Sequence, residues 1–315
     1  MNTPHSARRW ALLCLAVNCL THKLPAHAQA PLASNPISGE ISFSGTRLAY
    51  PLVEAWIKEF NKAEPHVSIK LATPGSGAAT IRIASYTLAS SDLQPGETFV
   101  TVCNYAQLPV ANRRHPQLAA WTTHGLTEAE LKKLFFKSSQ EETKDNRVTI
   151  YTRGRPVCAA KSFAAHYGVK FKESRGLSVT GDDQALIEAT RKDVNGVTYN
   201  NLGFIYDLNT RQITDGIAIL PIDLNENGTL DPEENFYSTL DDVLARLESG
   251  RVSKITVDKV NFIYKKEPEN PALSAFLSYI EKEGQRLVHQ FGFLPPGTDL
   301  KLAASRIDRA DSAAR

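Results

Sequence analysis

Strand-like and helix-like segments alternate along almost the whole chain, and this alternation restricts the fold more than any other feature. The run EISFSG (40–45) alternates polar and apolar residues and ends at a glycine. Behind it, residues 48–64 set Leu48, Leu52, Val53, Trp56 and Phe60 at helical spacing. HVSIKLA (66–72) reads as the next strand, closed by TPGSGAAT (73–80), with a helix expected from about Ala78. TFVTVCNYA (98–106), RVTIYTR (147–153) and DKVNFIYKK (258–266) are further strands. TEAELKKLFF (127–136) opens with Thr127 and Glu130, a capping box for a short helix. CAAKSFAAHYG (158–168) is a helix stopped by Gly168. DDQALIEATRKD (182–193) carries Asp182 and Asp183 in a favourable first turn. Residues 236–250 form an amphipathic helix, and residues 271–292 one long closing helix between Pro271 and Gly292. Such alternation implies an α/β protein with largely parallel sheets. No repeat or Gly/Ser linker divides the chain, so two lobes would have to be joined by strands crossing between them.

The N-terminal residues indicate where the protein works. Arg8 and Arg9 precede an apolar run from Trp10 to Leu20, and small residues follow at Ala26, Ala28 and Ala30. This is the pattern of a secretory signal peptide, expected over residues 1–28 with cleavage after Ala28. The apolar run is too short to span a bilayer. The chain holds 36 Lys and Arg against 34 Asp and Glu, and losing Arg8, Arg9 and Lys23 brings it close to neutrality. A nucleic-acid partner is therefore not implied. The expectation is a periplasmic or secreted protein with no stable membrane insertion. Cys103 and Cys158 remain after cleavage, either paired in an oxidising compartment or as small buried thiols.

Three turns are suited to an anion. SGTR (44–47) and PGSGAA (74–79) are Gly-containing turns, each placed between a strand and an expected helix, where backbone N–H groups converge at a helix start. In TRGRPVCAAK, Arg153 and Arg155 leave a strand just before a helix, and arginine's planar fork suits an oxyanion. Asp92, in SSDL, offers other chemistry: a carboxylate accepts the hydrogen bond of a protonated anion such as hydrogen phosphate and repels a fully ionised one. As a single residue it reads equally as a helix cap.

Taken together, ISFSGTRLAYPLVEAWIKEFNK, PGSGAAT, ASSD and VNFIYKK…LSAFLSYIEKEGQRLVHQFGFLPPG resemble the periplasmic solute-binding proteins of the phosphate-import type, receptors of ABC transporters. The resemblance runs from about Ile37 to about Leu300. It implies the two-lobed α/β periplasmic binding protein fold, with crossing hinge strands and a ligand cleft between the lobes. Lobe 1 would comprise residues 37–106 and 258–304, lobe 2 residues 107–257, and residues 305–315 a flexible tail. It also implies ligand contacts from Thr46, Arg47, Ser76, Gly77, Asp92 and either Arg153 or Arg155, with phosphate or a related oxyanion as ligand and a membrane ABC permease as partner of a monomeric receptor. One stretch departs. Where the family usually opens the second-lobe helix with Ser-Gly-Thr, this chain reads PVCAAK. The alternative is a non-transport binding or surface-assembly module on the same fold.

Catalytic signatures are missing. The chain has no H-E-x-x-H, no G-x-S-x-G and no C-x-x-C, and His66, His115, His124, His166 and His289 are scattered, so no enzyme is expected. One metal motif is present. DLNENGTLDPEE (223–234) matches an EF-hand-type calcium loop, which needs oxygen ligands at positions 1, 3, 5, 7, 9 and 12 and glycine at 6. These positions hold Asp223, Asn225, Asn227, Thr229, Asp231 and Glu234, with Gly228 at the turn. Pro221 argues against an entering helix, so a strand–loop–helix variant with structural Ca2+ is expected.

Overall fold

Two strands carry this chain between two hydrophobic cores. The computed structural model describes residues 36–72, 79–137, 147–250, 252–266 and 268–297; the expected signal peptide and tail lie outside these. The strands are β1 (Gly39–Gly45), β2 (Val67–Leu71), β3 (Ile81–Ala84), β4 (Glu97–Asn112), β5 (Thr149–Arg153), β6 (Leu177–Val179), β7 (Gly196–Asn201), β8 (Ile217–Ile219), β9 (Thr256–Lys265) and β10 (Phe293–Leu294). The helices are α1 (Tyr50–Ala63), α2 (Leu118–His124), α3 (Glu128–Phe135), α4 (Cys158–His166), α5 (Asp183–Lys192), α6 (Leu202–Ile205), α7 (Leu240–Glu248) and α8 (Pro271–Lys282). The sheet order is β2-β1-β3-β9-β4-β7-β5-β6, with β8 and β10 also paired to β4.

The α/β class and the crossing strands match the expectation; the strand directions correct it. Only the wings are parallel: β1 with β2 and β3, and β5 with β6 and β7. The centre is antiparallel, because the chain leaves the first core along β4 and returns along β9. One core gathers Ile41, Phe43, Trp56, Phe60, Tyr105, Phe262 and Phe276. The other gathers Leu108, Val110, Phe135, Phe163, Tyr199, Val243 and Leu294. β4 changes core between Tyr105 and Ala106.

Two further expectations are corrected. The helix expected from about Ala78 is not there: residue 78 lies outside the described residues, and by Ile81 the chain is strand β3. Ile81, Ile83 and Ala84 are buried and Arg82 is half-buried, and pairing with β1 on one side and β9 on the other makes the segment a strand. The closing helix also divides. α8 ends at Lys282 and a 3-10 segment, Gly284–Phe291, follows. Here Trp56 of α1 donates its indole N–H to the Gly284 carbonyl at 2.7 Å, and a Cβ on residue 284 would lie 2.8 Å from that nitrogen. A continuous helix with a larger residue cannot make this approach. Trp56→Phe removes a buried hydrogen bond and is expected to lower stability by roughly 1–3 kcal/mol, measured as a lower urea midpoint with an unchanged m-value.

Candidate functional site

A cleft of about 720 Å³ opens between the two cores. On the first-core side it is lined by Thr46, Arg47, Tyr50, Arg82 and Tyr86; on the other by Arg153, Arg155, Val157, Cys158, Lys161 and Asp183.

The first wall begins where β1 ends. Gly45 has φ +105°, and a Cβ there would meet the Ile83 carbonyl at 2.2 Å, so only glycine lets the chain turn across β3. The Thr46 N–H donates to that carbonyl at 3.1 Å, and the Thr46 hydroxyl oxygen accepts from Ser85 Oγ at 3.4 Å. Arg47 is exposed and makes no ion pair with a described residue. α1 then starts at Ala49 with no side-chain cap and no acidic residue in its first turn. Arg82 is held by Glu97 at 2.9 Å.

On the opposite wall, β5 delivers Arg153, whose guanidinium donates to the Gly181 carbonyl and to Asp183 Oδ1, the latter at 3.4 Å. Both partners are largely buried, with side chains 11% and 15% exposed. Burial pushes the Asp183 carboxyl above the usual aspartate range; Arg153 opposes this, and so, more weakly, does Arg47 from across the cleft. Arg155 and Lys161 are exposed, and neither has an ion-pair partner among the described residues. α4 starts at Val157, again with no side-chain cap and no acid in its first turn. Thus two helices from opposite cores bring uncapped N-termini, the positive ends of their dipoles, to one cleft.

Of the residues singled out in the sequence, Thr46, Arg47, Arg153 and Arg155 line this cleft, while Ser76 and Gly77 lie outside the described residues. Asp92 is placed differently. Its carboxylate accepts the Ala89 N–H at 2.8 Å, closing the 3-10 turn Ser90–Asp92, and it also hydrogen-bonds the Tyr86 hydroxyl, so it stands directly behind a lining residue without lining the cleft itself. Asp183, Lys161, Tyr50 and Tyr86 were not singled out as ligand contacts. Asp183 does open a helix, with Asp182 accepting the Ala185 N–H at 3.3 Å, yet the same turn faces the cleft. Cys158 lines the cleft and Cys103 is buried, and both are free thiols.

Behind the cleft, a half-buried carboxylate joins the two cores. Asp258 on β9 accepts hydrogen bonds from Thr87 Oγ1 at 2.9 Å and from Ser162 Oγ of α4 at 2.5 Å. Ser162 also reaches the Ser85 carbonyl at 3.3 Å, which accepts from the Tyr105 hydroxyl at 2.8 Å. Burial raises the Asp258 carboxyl above its usual range; its hydroxyl and backbone donors oppose that.

The 223–234 loop follows β8 and ends in the 3-10 turn Pro232–Glu234. Asp223, fully buried, accepts the N–H groups of Glu226 at 2.6 Å and Gly228 at 2.8 Å. Glu234, 3% exposed, accepts those of Leu224 at 2.8 Å, Asn225 at 3.0 Å and Asp231 at 3.2 Å. The Asn225 and Asn227 amides both donate to Asp231 Oδ2, at 2.8 and 2.9 Å. Among the described residues, no group of three or more His, Cys, Asp or Glu side chains is arranged to hold a metal ion. No described helix is long and apolar enough to cross a membrane.

No protein-family model matches the chain. Protein SphX of Synechococcus elongatus is 21% identical over 297 residues, covering 86% of this chain and 82% of that protein. Among solved structures, a Clostridium perfringens protein described as a phosphate ABC transporter substrate-binding protein with bound phosphate superposes with a TM-score of 0.61. It is 18% identical and the match covers 82% of this chain and 99% of that one. An ABC-type phosphate transport receptor from Vibrio cholerae gives a TM-score of 0.56 at 15% identity, covering 82% and 100%. The chain therefore has the two-lobed fold of phosphate-type periplasmic binding proteins, as its motifs implied.

The Asp258 contact has a pH signature. Its folded pKa is raised, so the folded state holds the proton more tightly than the unfolded chain. Its stabilising contribution is complete below the usual aspartate value near 3.8 and is lost as pH rises through the folded value. Against wild type, Asp258→Asn is expected to gain relative stability as pH climbs through that window. Urea midpoints from pH 3 to 7 test this, and parallel profiles would refute it.

Proposed function

We propose that this chain is an exported, monomeric solute-binding receptor that captures phosphate or a related oxyanion between its lobes for ABC-type import. One observation carries the reading: Arg47 from one lobe and Arg155 and Lys161 from the other face a single cleft without ion-pair partners among the described residues, beside two uncapped helix N-termini. An anion there would offset both sets of positive ends. Only a closed form lets one anion touch both lobes at once, so ligand favours closure. The closed surface is then what a membrane permease would recognise. The structural neighbours named as phosphate receptors support this reading through the fold they share. The protein binds without turnover.

Isothermal titration with phosphate, sulfate and molybdate tests the reading. Phosphate is expected to bind, and Arg155→Ala to weaken it at least tenfold, about 1.4 kcal/mol. Because Arg155 is exposed, the melting temperature without ligand should stay the same. Silence across all three anions would overturn the receptor reading and favour the interaction module.

The loop from Asp223 to Glu234 is proposed to bind Ca2+ structurally. Supporting this are the ligand-type residues at each required position and the burial of Asp223 and Glu234 with no basic side chain among the described residues bonded to either. On binding, Asn225 and Asn227 would turn their amide oxygens inward, in place of the N–H groups they present to Asp231. Millimolar calcium is expected to raise the melting temperature, by about 2–4 °C per kcal/mol of binding linkage. Glu234→Gln should abolish the rise. An unchanged melting temperature in the wild type would refute the site.

A further inference from the structure

We propose that Tyr86 sets the specificity of this cleft by presenting a hydrogen-bond acceptor, the oxygen of its hydroxyl, which selects an oxyanion carrying a proton of its own, such as hydrogen phosphate, over a fully ionised one such as sulfate. The proposal rests on the oxyanion-receptor reading above and names a residue that governs which anion the receptor takes.

Position is the first argument. Tyr86 is half-buried in the same cleft wall as Arg47. The chain around it is tied down on consecutive residues. The Ser85 carbonyl accepts from Tyr105 and Ser162, the Tyr86 carbonyl accepts from Asn261 at 2.7 Å, and Thr87 Oγ1 donates to Asp258 at 2.9 Å. From this anchored stretch the side chain brings its hydroxyl close enough to Cys158, on the opposite wall, for charge on the thiol to act on it. The hydroxyl therefore borders the space between the two cation-bearing walls.

Asp92 decides what that hydroxyl offers. The Tyr86 hydroxyl is hydrogen-bonded to the Asp92 side chain. Asp92 is itself set in place: its Oδ2 accepts the Ala89 N–H at 2.8 Å, and its backbone carbonyl accepts from Arg82 at 3.4 Å. An ionised carboxylate only accepts, so the shared hydrogen is the tyrosine's. Burial, reinforced by the Asp92 charge, holds the hydroxyl above the usual tyrosine range, and it keeps that hydrogen. With its one hydrogen committed to Asp92, the oxygen has lone pairs left for the cleft. Hydrogen phosphate donates its own proton to such an oxygen. Sulfate is also a tetrahedral dianion but has no proton, so it sets oxygen against oxygen, a repulsive contact that discriminates against it. The charges of Arg47, Arg155 and Lys161 do not make this distinction, because at mildly alkaline pH both anions are dianions. A carboxylate in direct contact would read the same proton but repel either dianion; the tyrosine keeps Asp92 one side chain away.

Titration of the full mature chain with orthophosphate and with sulfate at mildly alkaline pH tests this. Wild type is expected to favour phosphate by about tenfold or more, the difference between one matched and one unmatched hydrogen bond. In Asp92→Asn the amide oxygen still takes the Ala89 N–H, while the amide N–H donates to the tyrosine oxygen and turns the hydroxyl hydrogen toward the cleft. Sulfate should then tighten and the preference fall below about threefold. Tyr86→Phe removes the acceptor and should lower the preference as far, by weakening phosphate alone. A wild type that binds both anions equally overturns this inference and leaves the oxyanion receptor standing. So does a preference left unchanged by Tyr86→Phe, or an Asp92→Asn protein that binds sulfate no better than wild type does. If neither anion binds, the receptor reading falls and this one with it.

Discussion

The pairing of β4 with β9 is the constraint on which the rest of this structure depends. The ladder runs from Glu97 opposite Lys265 to Gln107 opposite Thr256, interrupted by a bulge between Thr101 and Cys103. Both strands pass from one core to the other, so their backbone hydrogen bonds set how the lobes meet. The bulge adds local twist within the first core, a few residues before β4 passes to the second between Tyr105 and Ala106. Buried Asn261 secures it: Thr101 Oγ1 donates to its side-chain oxygen at 2.7 Å, and its own amide donates to the Tyr86 carbonyl at 2.7 Å. Tyr86 is thereby fixed in the cleft wall by the same contact that holds the hinge. Asp258, three residues earlier on β9, ties Thr87 and Ser162 together directly behind that wall.

The cleft's electrostatics follow from which charges this scaffold leaves unmatched. Arg82 and Arg153 each have a carboxylate partner and act as part of the frame. Arg47, Arg155 and Lys161 have none among the described residues, and two helix N-termini add partial positive charge without side-chain caps. Exposed cations lose little by waiting in water, and two large cores and the hinge ladder supply the stability that such a surplus requires. Asp183, Asp182 and Glu54 in the same walls limit the surplus, and the largely buried Asp183 carboxylate holds Arg153 and lies within reach of the field of Arg47.

Much of this was legible in the chain. The capping box at Thr127 and Glu130 is formed, and Gly168, at φ +71°, follows the end of α4. These are local effects, decided within one turn. Reading failed where distant parts meet. β4 runs for 16 residues through Pro109, although proline normally marks a strand's end or edge. The closing helix stops where Trp56, 228 residues away in sequence, donates to the Gly284 carbonyl. Ile81–Ala84 is too short for periodicity to tell strand from helix, and its place beside β1 and β9 settles the matter.

Sequence by itself determined the alternating elements, the turns that leave cations at strand ends, and the spacing of oxygen-bearing residues in the 223–234 loop. Each of these rests on the geometry of a few consecutive residues. Tertiary structure decided the antiparallel centre of the sheet and the membership of the cleft. Asp92 and Asp183 show why. Both are acidic residues at helix ends, Asp92 closing a three-residue 3-10 turn and Asp183 opening α5, and neither position by itself says which charge it will meet. Asp92 caps its own turn and supports the Tyr86 hydroxyl from behind the wall, while Asp183 meets Arg153 from another strand and faces the cleft. That difference arises only when β5 and α5 pack side by side, because a charge's role depends on what folding brings within a few ångströms of it.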